Sequence, residues 1–487
     1  MPIVKSEGVT ATEKLLASLC DRTFLRLWSY PNPHQKPGTE LCDVVAIFEK
    51  QVFLFFDREV RKFDGTDDVA LAWERWHRKV VTAQIATAKG AKRHIENGGD
   101  IFLDAKCTVK IPLPSNRANL TIHRIIVAHG AKEACESYSH QNVYGSMAIT
   151  YGEAMGGVNF PFTINLDRED PVHVLDSHNL QIVLSELDTI SDLADYFLEK
   201  ERAIGAYQCL SYVGEEDLLA HYFLNINLGT KKYSIGPRRG KYDFVMIGEG
   251  EWHDFQRMPQ YKSRKEANAQ SYFWDDLIQR TGQHTLDGTG WGNTDAFSPS
   301  AIHEMAKEPR LARRAFSRGM IDAIRTFPEN RGEESATTQK ISCWRSSEDG
   351  KAYIFLQLRQ PSFLDHSRYR EARSNFLMAA CGIARNKFPD LTKVVGIAMA
   401  PPKFARQNSE DFVLFDCSHW SDEDRAEYEA LNEELRLFSA PRLQKRSFTD
   451  FPNISGRKGK PGPNERCPCG SGKKFKKCHG ANAVTST

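Results

Sequence analysis

The chain lacks the features that mark membrane, secreted or strongly charged proteins. Its 487 residues carry 65 basic and 63 acidic side chains, for a net charge of only +2. No apolar run approaches the roughly 18 residues that a membrane span requires. The first residues, MPIVKSEGVTATEK, also lack the apolar core of a signal peptide. We therefore expect a cytoplasmic protein without membrane contact, while the sequence leaves the oligomeric state open.

Paired cysteines and nucleotide-binding signatures are also missing. Of eleven cysteines, eight are scattered singly along the chain. This distribution is typical of buried free thiols in a reducing compartment rather than of a disulfide framework. The Gly-rich stretch at 288–292 follows a helical pattern and has no GK[ST], so it does not indicate a phosphate-binding loop. The cysteines that cluster are the last three, in the C-terminal tail.

The most informative stretch covers residues 38–63, GTELCDVVAIFEKQVFLFFDREVRKF. Its two apolar runs, Leu41–Phe48 and Gln51–Val60, are rich in β-branched and aromatic residues. A polar Glu-Lys pair joins them, which predicts a β-hairpin.

Three acids interrupt this apolar hairpin. Asp43 lies within the first run, and Asp57 and Glu59 lie at the end of the second. Strand alternation places Asp57 and Glu59 on one face and Arg58 on the other. Carboxylates that converge on an apolar surface repel one another unless a cation lies between them. The pattern therefore predicts a divalent metal site, and the alternative is a set of strand-end acids on a solvated face.

This arrangement resembles the PD-(D/E)xK nuclease fold, in which an acid begins one strand and an acid-x-Lys sequence lies on the next. The resemblance covers about the first third of the chain and matches Asp43 to the first acid and Asp57–Glu59 to the acid-x-Lys sequence. It implies a mixed sheet flanked by helices, bound Mg²⁺ and hydrolysis of DNA phosphodiesters. Proteins of this superfamily often add a Glu from a preceding helix and a Gln from a following one, which Glu13 and Gln84 match.

The lysine of that sequence is absent here. Either Glu59 stands in its place, or Arg58 does with the strand shifted by one residue. The two exclude each other, because such a shift reverses which side chains face the metal. A third alternative is a scaffold whose site has lost activity.

The flanking residues have their own alternatives. Gln84 lies on the apolar stripe of a helix predicted over 68–97, and Glu13 shares a side with apolar residues of a first helix predicted over 12–28. In the nuclease interpretation the acids hold the metal and Glu13 binds a second metal or assists. Gln84 positions the nucleophile or a metal-bound water, and Arg58 meets phosphate. Otherwise Gln84 is a satisfied core amide and Glu13 a surface acid.

The C-terminal run CPCGSGKKFKKCHG holds four metal-ligating side chains: Cys467, Cys469, Cys478 and His479. Three thiolates and one imidazole are a common set for structural Zn²⁺. A segment this short cannot bury a core, so metal binding must supply its folding energy. The run resembles the SEC-C motif, found at the C-terminus of the SecA translocase motor and appended to many unrelated proteins. That resemblance implies a docking module for a protein partner.

Composition, spacing and the two resemblances together imply four regions. These are a nuclease-like domain at 1–203, an α/β domain of unknown role at 204–440, a basic flexible linker at 441–463 and the SEC-C zinc motif at 464–480. From Arg442 onward, eleven basic residues face two acids, which makes a basic tail on a nearly neutral body. Two functions follow: a Mg²⁺-dependent nuclease acting on DNA, or an inactive nuclease-like scaffold that binds protein or nucleic acid.

Overall fold

The fold was determined from a computed structural model, in which a large part of the chain is described. The described residues are 5–58, 63, 67–139, 144, 146–152, 160–227, 230, 232–236, 243–286, 299–328, 339–405, 407, 409–438, 446, 448–452, 464 and 474. Within them, helices alternate with strands in sheets that mix parallel and antiparallel pairs. The predicted α/β class is therefore confirmed.

The strands are numbered in chain order. They are β1 (Ser29–Pro31), β2 (His34–Lys36), β3 (Thr39–Glu40), β4 (Val44–Phe48), β5 (Gln51–Arg58), β6 (Ile101–Phe102), β7 (Lys110–Ile111), β8 (Thr121–Ala128), β9 (Ala148–Tyr151), β10 (Thr163–Leu166), β11 (His173–Asp176), β12 (Cys209–Val213), β13 (Phe244–Ile247), β14 (Gln339–Arg345), β15 (Lys351–Leu358), β16 (Lys393–Met399) and β17 (Glu410–Asp416).

The helices are numbered in the same way. They are α1 (Ala11–Thr23), α2 (Leu25–Trp28), α3 (Val69–His77), α4 (Ala83–Glu96), α5 (Lys132–Tyr138), α6 (Ser177–Glu186), α7 (Ile190–Ala206), α8 (Glu215–Leu224), α9 (Glu251–Arg257), α10 (Pro259–Asn268), α11 (Tyr272–Leu286), α12 (Pro299–Ala306), α13 (Arg310–Arg325), α14 (His366–Lys387) and α15 (Asp422–Leu435).

The first sheet has five strands in the order β1-β4-β5-β8-β11. The predicted hairpin is confirmed: β4 and β5 pair antiparallel, and Glu49 takes a φ of 52° in the turn between them. β5, β8 and β11 are parallel to one another. Because the carboxyl ends of parallel strands meet at one edge of a sheet, the residues that end these three strands are brought together.

Both predicted N-terminal helices form, with local interruptions. A capping box of Thr10 and Glu13 begins α1, and the helix predicted over 12–28 is broken where Leu25 takes a φ of 60°. Asp68 accepts hydrogen bonds from two backbone N–H groups at the start of the second helix. That helix comprises α3 and α4 joined by the π-helical segment Arg78–Thr82, since an extra residue is accommodated there.

The other sheets have four strands each, in the orders β10-β9-β12-β13, β14-β15-β16-β17 and β3-β2-β6-β7. One hydrophobic cluster of buried residues extends from Leu16 to Phe412, and a second cluster packs on the opposite face of β15 and β16. The predicted domain boundary between residues 203 and 204 falls inside α7, and the first cluster extends across it.

Residues 448–452, within the predicted linker, contact the body of the protein. Phe451 packs edge-on against Phe223 and Phe255. The Asp450 carboxylate accepts from Arg264, with Nε and Oδ2 3.3 Å apart. Apolar and charged contacts therefore hold residues 448–452, while the linker over 441–463 stays a prediction. Among the described helices, none combines the length and apolarity needed to cross a bilayer.

Candidate functional site

Asp57 lies near the end of β5, and its side chain is only 1% exposed. Its Oδ1 atom is 2.5 Å from Nε2 of His129, the residue that follows β8. Its Oδ2 atom is buried and has no hydrogen-bond partner among the described residues. A buried carboxylate oxygen without a partner costs free energy, so this atom marks a place where a donor or cation would be stabilising.

Asp43 lies next to Asp57, one residue before β4. Its Oδ2 atom accepts a hydrogen bond of 2.7 Å from the backbone N–H of Asp57. Burial raises the pKa of Asp43 to about 7, and the negative charges of Asp57, Glu13 and Glu40 add to the rise. Two acids at the head of β4 and the end of β5 therefore form a desolvated carboxylate pair.

The negative charge of Glu13 lies near Asp43, but the Glu13 carboxylate hydrogen-bonds to other groups. Its Oε2 atom accepts from the backbone N–H of Val9 at 2.8 Å and completes the capping box of α1. The Asn32 side chain approaches the same oxygen at 3.4 Å, and the Asn32 backbone N–H donates to the Asp43 carbonyl at 2.7 Å. Glu13 thus supports the start of α1 and is linked to the Asp43 segment through Asn32.

Gln84 is 5% exposed on α4, as its place on the apolar stripe predicts. With its amide correctly oriented, the nitrogen donates to the Phe56 carbonyl at 2.9 Å and the oxygen accepts from the Arg58 N–H at 3.2 Å. These two bonds bracket Asp57 on β5. Gln84 is therefore a satisfied core amide that fixes the backbone on both sides of Asp57.

The structure describes one of the two residues that could replace the missing lysine. Arg58 is exposed, and strand alternation puts it on the face of β5 opposite to Asp57. The choice between Arg58 and Glu59 in place of the lysine therefore stays a prediction. Glu59 lies outside the described residues.

Of the three acids predicted to converge, Asp43 and Asp57 lie together, and Glu59 lies outside the described residues. Among the described residues, the carboxylates of Glu13, Asp43 and Asp57 do not form a group whose ligand atoms all lie within 4.8 Å of one another. Asp43 and Asp57 are neighbours through the 2.7 Å contact, and Glu13 contributes from a greater distance.

His129, for which the sequence predicts no role, lies beside the carboxylate pair. Its Nδ1 atom is 2.6 Å from Oγ of Ser177, the half-buried first residue of α6. Asp57, His129 and Ser177 lie at the carboxyl ends of β5, β8 and β11 and form one hydrogen-bonded row across the sheet edge. The signal that the sequence offers is the position of His129 at the end of the strand-like run LTIHRIIVAH.

A second cluster of polar side chains, which the sequence pattern does not predict, lies between β8, β11 and α7. Oε1 of Glu201 lies 2.8 Å from Nδ1 of His123 and 3.1 Å from Nε2 of His173. These three residues have ligand atoms within 4.8 Å of one another. Burial and the charge of nearby Lys200 lower the pKa of His173 to about 4, so its ring is neutral at physiological pH. The Glu201 carboxylate, which both histidines contact, thus connects α7 to β8 and β11.

The four predicted zinc ligands, Cys467, Cys469, Cys478 and His479, lie outside the described residues. The comparison with known proteins bears on this region directly. Residues 464–481 match the family model of the SEC-C motif. The chain therefore carries this motif, as its sequence predicts.

The chain is also similar in part to a curated protein. Over 89 residues it is 35% identical to a UPF0225 protein from Serratia proteamaculans (strain 568), and the alignment covers 18% of this chain and 53% of that protein. The chain thus spans about half the length of this relative. No solved structure matches it.

Proposed function

We propose that the chain is a divalent-metal-dependent nuclease that hydrolyses DNA phosphodiesters, with Asp43 and Asp57 as its metal ligands. The observation that carries this proposal is the carboxylate pair itself. One oxygen of Asp57 is buried without a hydrogen-bond partner in the described part of the chain, and burial raises the pKa of Asp43 beside it. A desolvated pair of acids is the environment that Mg²⁺ or Mn²⁺ stabilises.

The topology around the pair supports the same proposal. Helix α1 precedes the antiparallel meander β1-β4-β5, and the α3–α4 connection leads to β8, which lies parallel to β5. This succession, with one acid at the head of the second strand and another at the end of the third, is the arrangement that the PD-(D/E)xK resemblance implies.

Each residue near the pair has a distinct task in this proposal. Mg²⁺ bound by the pair would supply a Lewis acid for a phosphoryl oxygen and lower the pKa of a bound water. His129 and Gln84 are positioning residues: His129 orients the Asp57 carboxylate, and Gln84 holds the β5 backbone on either side of it. Ser177 in turn fixes the ring of His129.

Cleavage of DNA by the purified chain tests the proposal. Linear, circular and single-stranded DNA are incubated with Mg²⁺ or Mn²⁺ and, separately, with EDTA. We expect metal-dependent cleavage that falls roughly a hundredfold or more in Asp43→Asn and Asp57→Asn. The control variant Asp349→Asn, at an exposed turn far along the chain, should cleave as the wild type does. Equal cleavage by all variants, or none by the wild type, would contradict the proposal.

A second candidate function is an inactive nuclease-like scaffold that acts as an adaptor. Two observations favour it. The Glu13 carboxylate hydrogen-bonds at the start of α1, and Asp57-Arg58-Glu59 contains no lysine. Isothermal titration with Mg²⁺ and Mn²⁺ separates the two candidates. Metal binding that is lost in Asp57→Asn supports the nuclease, whereas no binding to the wild type favours the adaptor.

The C-terminal SEC-C motif adds a zinc-dependent docking module to either candidate. Cys467, Cys469, Cys478 and His479 would hold Zn²⁺ in a closed tetrahedral set, which suits a structural rather than a catalytic site. We expect one zinc per chain by elemental analysis and its loss in Cys467→Ser. Cys107→Ser, a half-buried cysteine in the body, is the matched control. Retention of zinc by Cys467→Ser would exclude this ligand set.

A further inference from the structure

Helix α13 carries arginines with two different surroundings. Arg310 and Arg313 point inward and are neutralised by Asp188 and Asp275, at distances between 2.7 and 2.8 Å. Others on the same helix border a cavity of about 570 Å³ between α13, the end of α10 and the anchored tail segment 448–452. The full lining is Ala267, Gln270, Arg314, Arg318, Asp322, Arg325, Arg446, Phe448, Thr449 and Pro452.

The charge of this lining is one-sided. The described lining holds four arginines and a single acid, Asp322. Asp322 is already shared between Arg325 and Arg446, each 3.0 Å away. Arg318 is exposed and forms no salt bridge to any residue in the described ranges.

Arg314 is the most buried of the four arginines in the lining. It is 5% exposed, and its guanidinium donates to neutral oxygens: the Asn268 side chain at 3.2 Å, the Asp450 carbonyl at 3.2 Å and the Thr449 carbonyl. Burial lowers the pKa of Arg314 and the nearby charge of Arg264 acts in the same direction, while the Asp450 carboxylate raises the pKa in part. Since the hydrogen bonds of this buried cation go to neutral oxygens, a negative group in the cavity would further stabilise its charge.

The wall that the tail supplies is held in place by several contacts. Phe451 lies among aromatic rings of α8 and α9, and Asp450 pairs with Arg264. The Pro452 carbonyl accepts from Ser263 Oγ at 2.8 Å. The cavity is therefore built by packed residues of the body and of the tail, rather than by surface side chains alone.

We propose that this cavity binds a phosphate-bearing anion of oligophosphate size, gripped by Arg314, Arg318 and Arg325 from α13 and by Arg446 from the tail. Guanidinium groups bind phosphate oxygens through paired, charge-assisted hydrogen bonds. The volume lies in the range of small-molecule sites, roughly 300–1,000 Å³, and exceeds the need of a single inorganic ion. The site is independent of the Asp43–Asp57 pair, so it stands whether or not the chain cleaves DNA.

Calorimetric titration of the full-length chain with pyrophosphate tests the proposal, with sulfate at equal ionic strength as the reference anion. We expect pyrophosphate to bind more tightly than sulfate, and Arg318→Ala to weaken binding at least tenfold. Arg318 is exposed, so its loss leaves the fold intact. Arg368→Ala removes an equally exposed arginine from α14 and should bind as the wild type does. No binding by the wild type, or the same loss in both variants, would overturn the proposal.

Two further measurements locate the bound anion and its source. Since Arg446 and Thr449 form one wall, pyrophosphate should slow proteolytic release of the C-terminal tail, and Arg318→Ala should remove that protection. Unchanged proteolysis on saturation would show that the anion binds elsewhere and would overturn the assignment. A 5′-phosphorylated oligonucleotide that displaces pyrophosphate identifies the terminus of a nucleic acid as the source, and failure to displace it identifies a free oligophosphate.

Discussion

Nε2 of His129 lies 2.5 Å from Oδ1 of Asp57, although 72 positions separate the two residues in the sequence. The contact arises because β5 and β8 are parallel neighbours in which Asp57 is paired with Val127, and His129 follows β8 by one residue. An imidazole N–H directed at a buried carboxylate stabilises its negative charge. Asp57 therefore has a hydrogen-bonding partner in His129, the residue that follows the neighbouring strand β8. The segment Asp57-Arg58-Glu59 itself contains no lysine.

Replacement of His129 by alanine should destabilise the protein by about 1–3 kcal/mol, since it leaves a buried carboxylate oxygen without its partner. Urea denaturation followed by far-UV circular dichroism measures the change. His178→Ala, an exposed histidine beside Ser177, is the matched control and should change stability by less than about 0.5 kcal/mol. Equal stability of the two variants would show that the His129–Asp57 contact contributes nothing.

Asp43→Asn should stabilise the protein at alkaline pH. Because the folded pKa of Asp43 is about 7 and the unfolded value is near 4, the folded state binds more protons than the unfolded state between these values. Stability therefore falls as pH rises through this window, and the cost of the buried charge is fully present above pH 7. Asparagine has no charge to bury and can still accept from the Asp57 N–H.

The measurement is thermal denaturation in EDTA at pH 4.5 and pH 8, two values that bracket most of this window. We expect a gain of about 1–3 kcal/mol for Asp43→Asn at pH 8 and little at the lower pH. Added Mg²⁺ should raise the melting temperature of the wild type and leave the variant unchanged. A gain that is the same at both pH values would exclude ionisation of Asp43 as its cause.

The sequence predicts those elements of the site that depend on local pattern. The hairpin follows from two β-rich runs joined by a polar pair, and the burial of Gln84 follows from helical periodicity. Neither pattern shows that Gln84 reaches across to the Phe56 carbonyl and the Arg58 N–H. Such a contact depends on how α4 crosses the sheet, which is a property of the tertiary packing.

The contacts that the sequence misses join residues far apart in the chain. His129 and Ser177 meet Asp57 because three parallel strands end at one sheet edge, and strand order cannot be read from alternation. The tail shows the same limit. Composition alone marks residues 441–463 as a polar linker, whereas Phe451 and Asp450 hold part of it against the body through specific partners.

The set of His123, His173 and Glu201 should make the protein sensitive to mild acid. The folded pKa of His173 is about 4, so an unfolded histidine binds a proton between pH 6.5 and 4 while the folded one does not. Stability is therefore lost as pH falls through this window. Burial opposes the charge on Glu201, but hydrogen bonds from both histidines outweigh it and lower its pKa, which adds a loss at still lower pH.

A comparison of the wild type with His173→Gln at pH 7 and pH 5 isolates this effect. The wild type should lose about 1–2 kcal/mol more than the variant between the two pH values, because only the wild type carries the titrating ring. His419→Gln, at an exposed position, should keep the pH dependence of the wild type. Parallel curves for all three proteins would exclude His173 as the titrating group.

Arg310 should be among the costliest arginines to remove, because it is 2% exposed and holds two acids at once. Its Nε is 2.8 Å from Asp188 Oδ1, and its Nη1 is 2.7 Å from Asp275 Oδ2. Arg310→Ala leaves both carboxylates buried with weakened compensation, so we expect a loss of about 3–5 kcal/mol in urea denaturation.

Arg325→Ala on the same helix removes a side chain that is 75% exposed and should cost less than about 1 kcal/mol. A similar small loss for Arg310→Ala would mean that Asp188 and Asp275 are stabilised by other partners, such as Tyr272 and Arg313, without it.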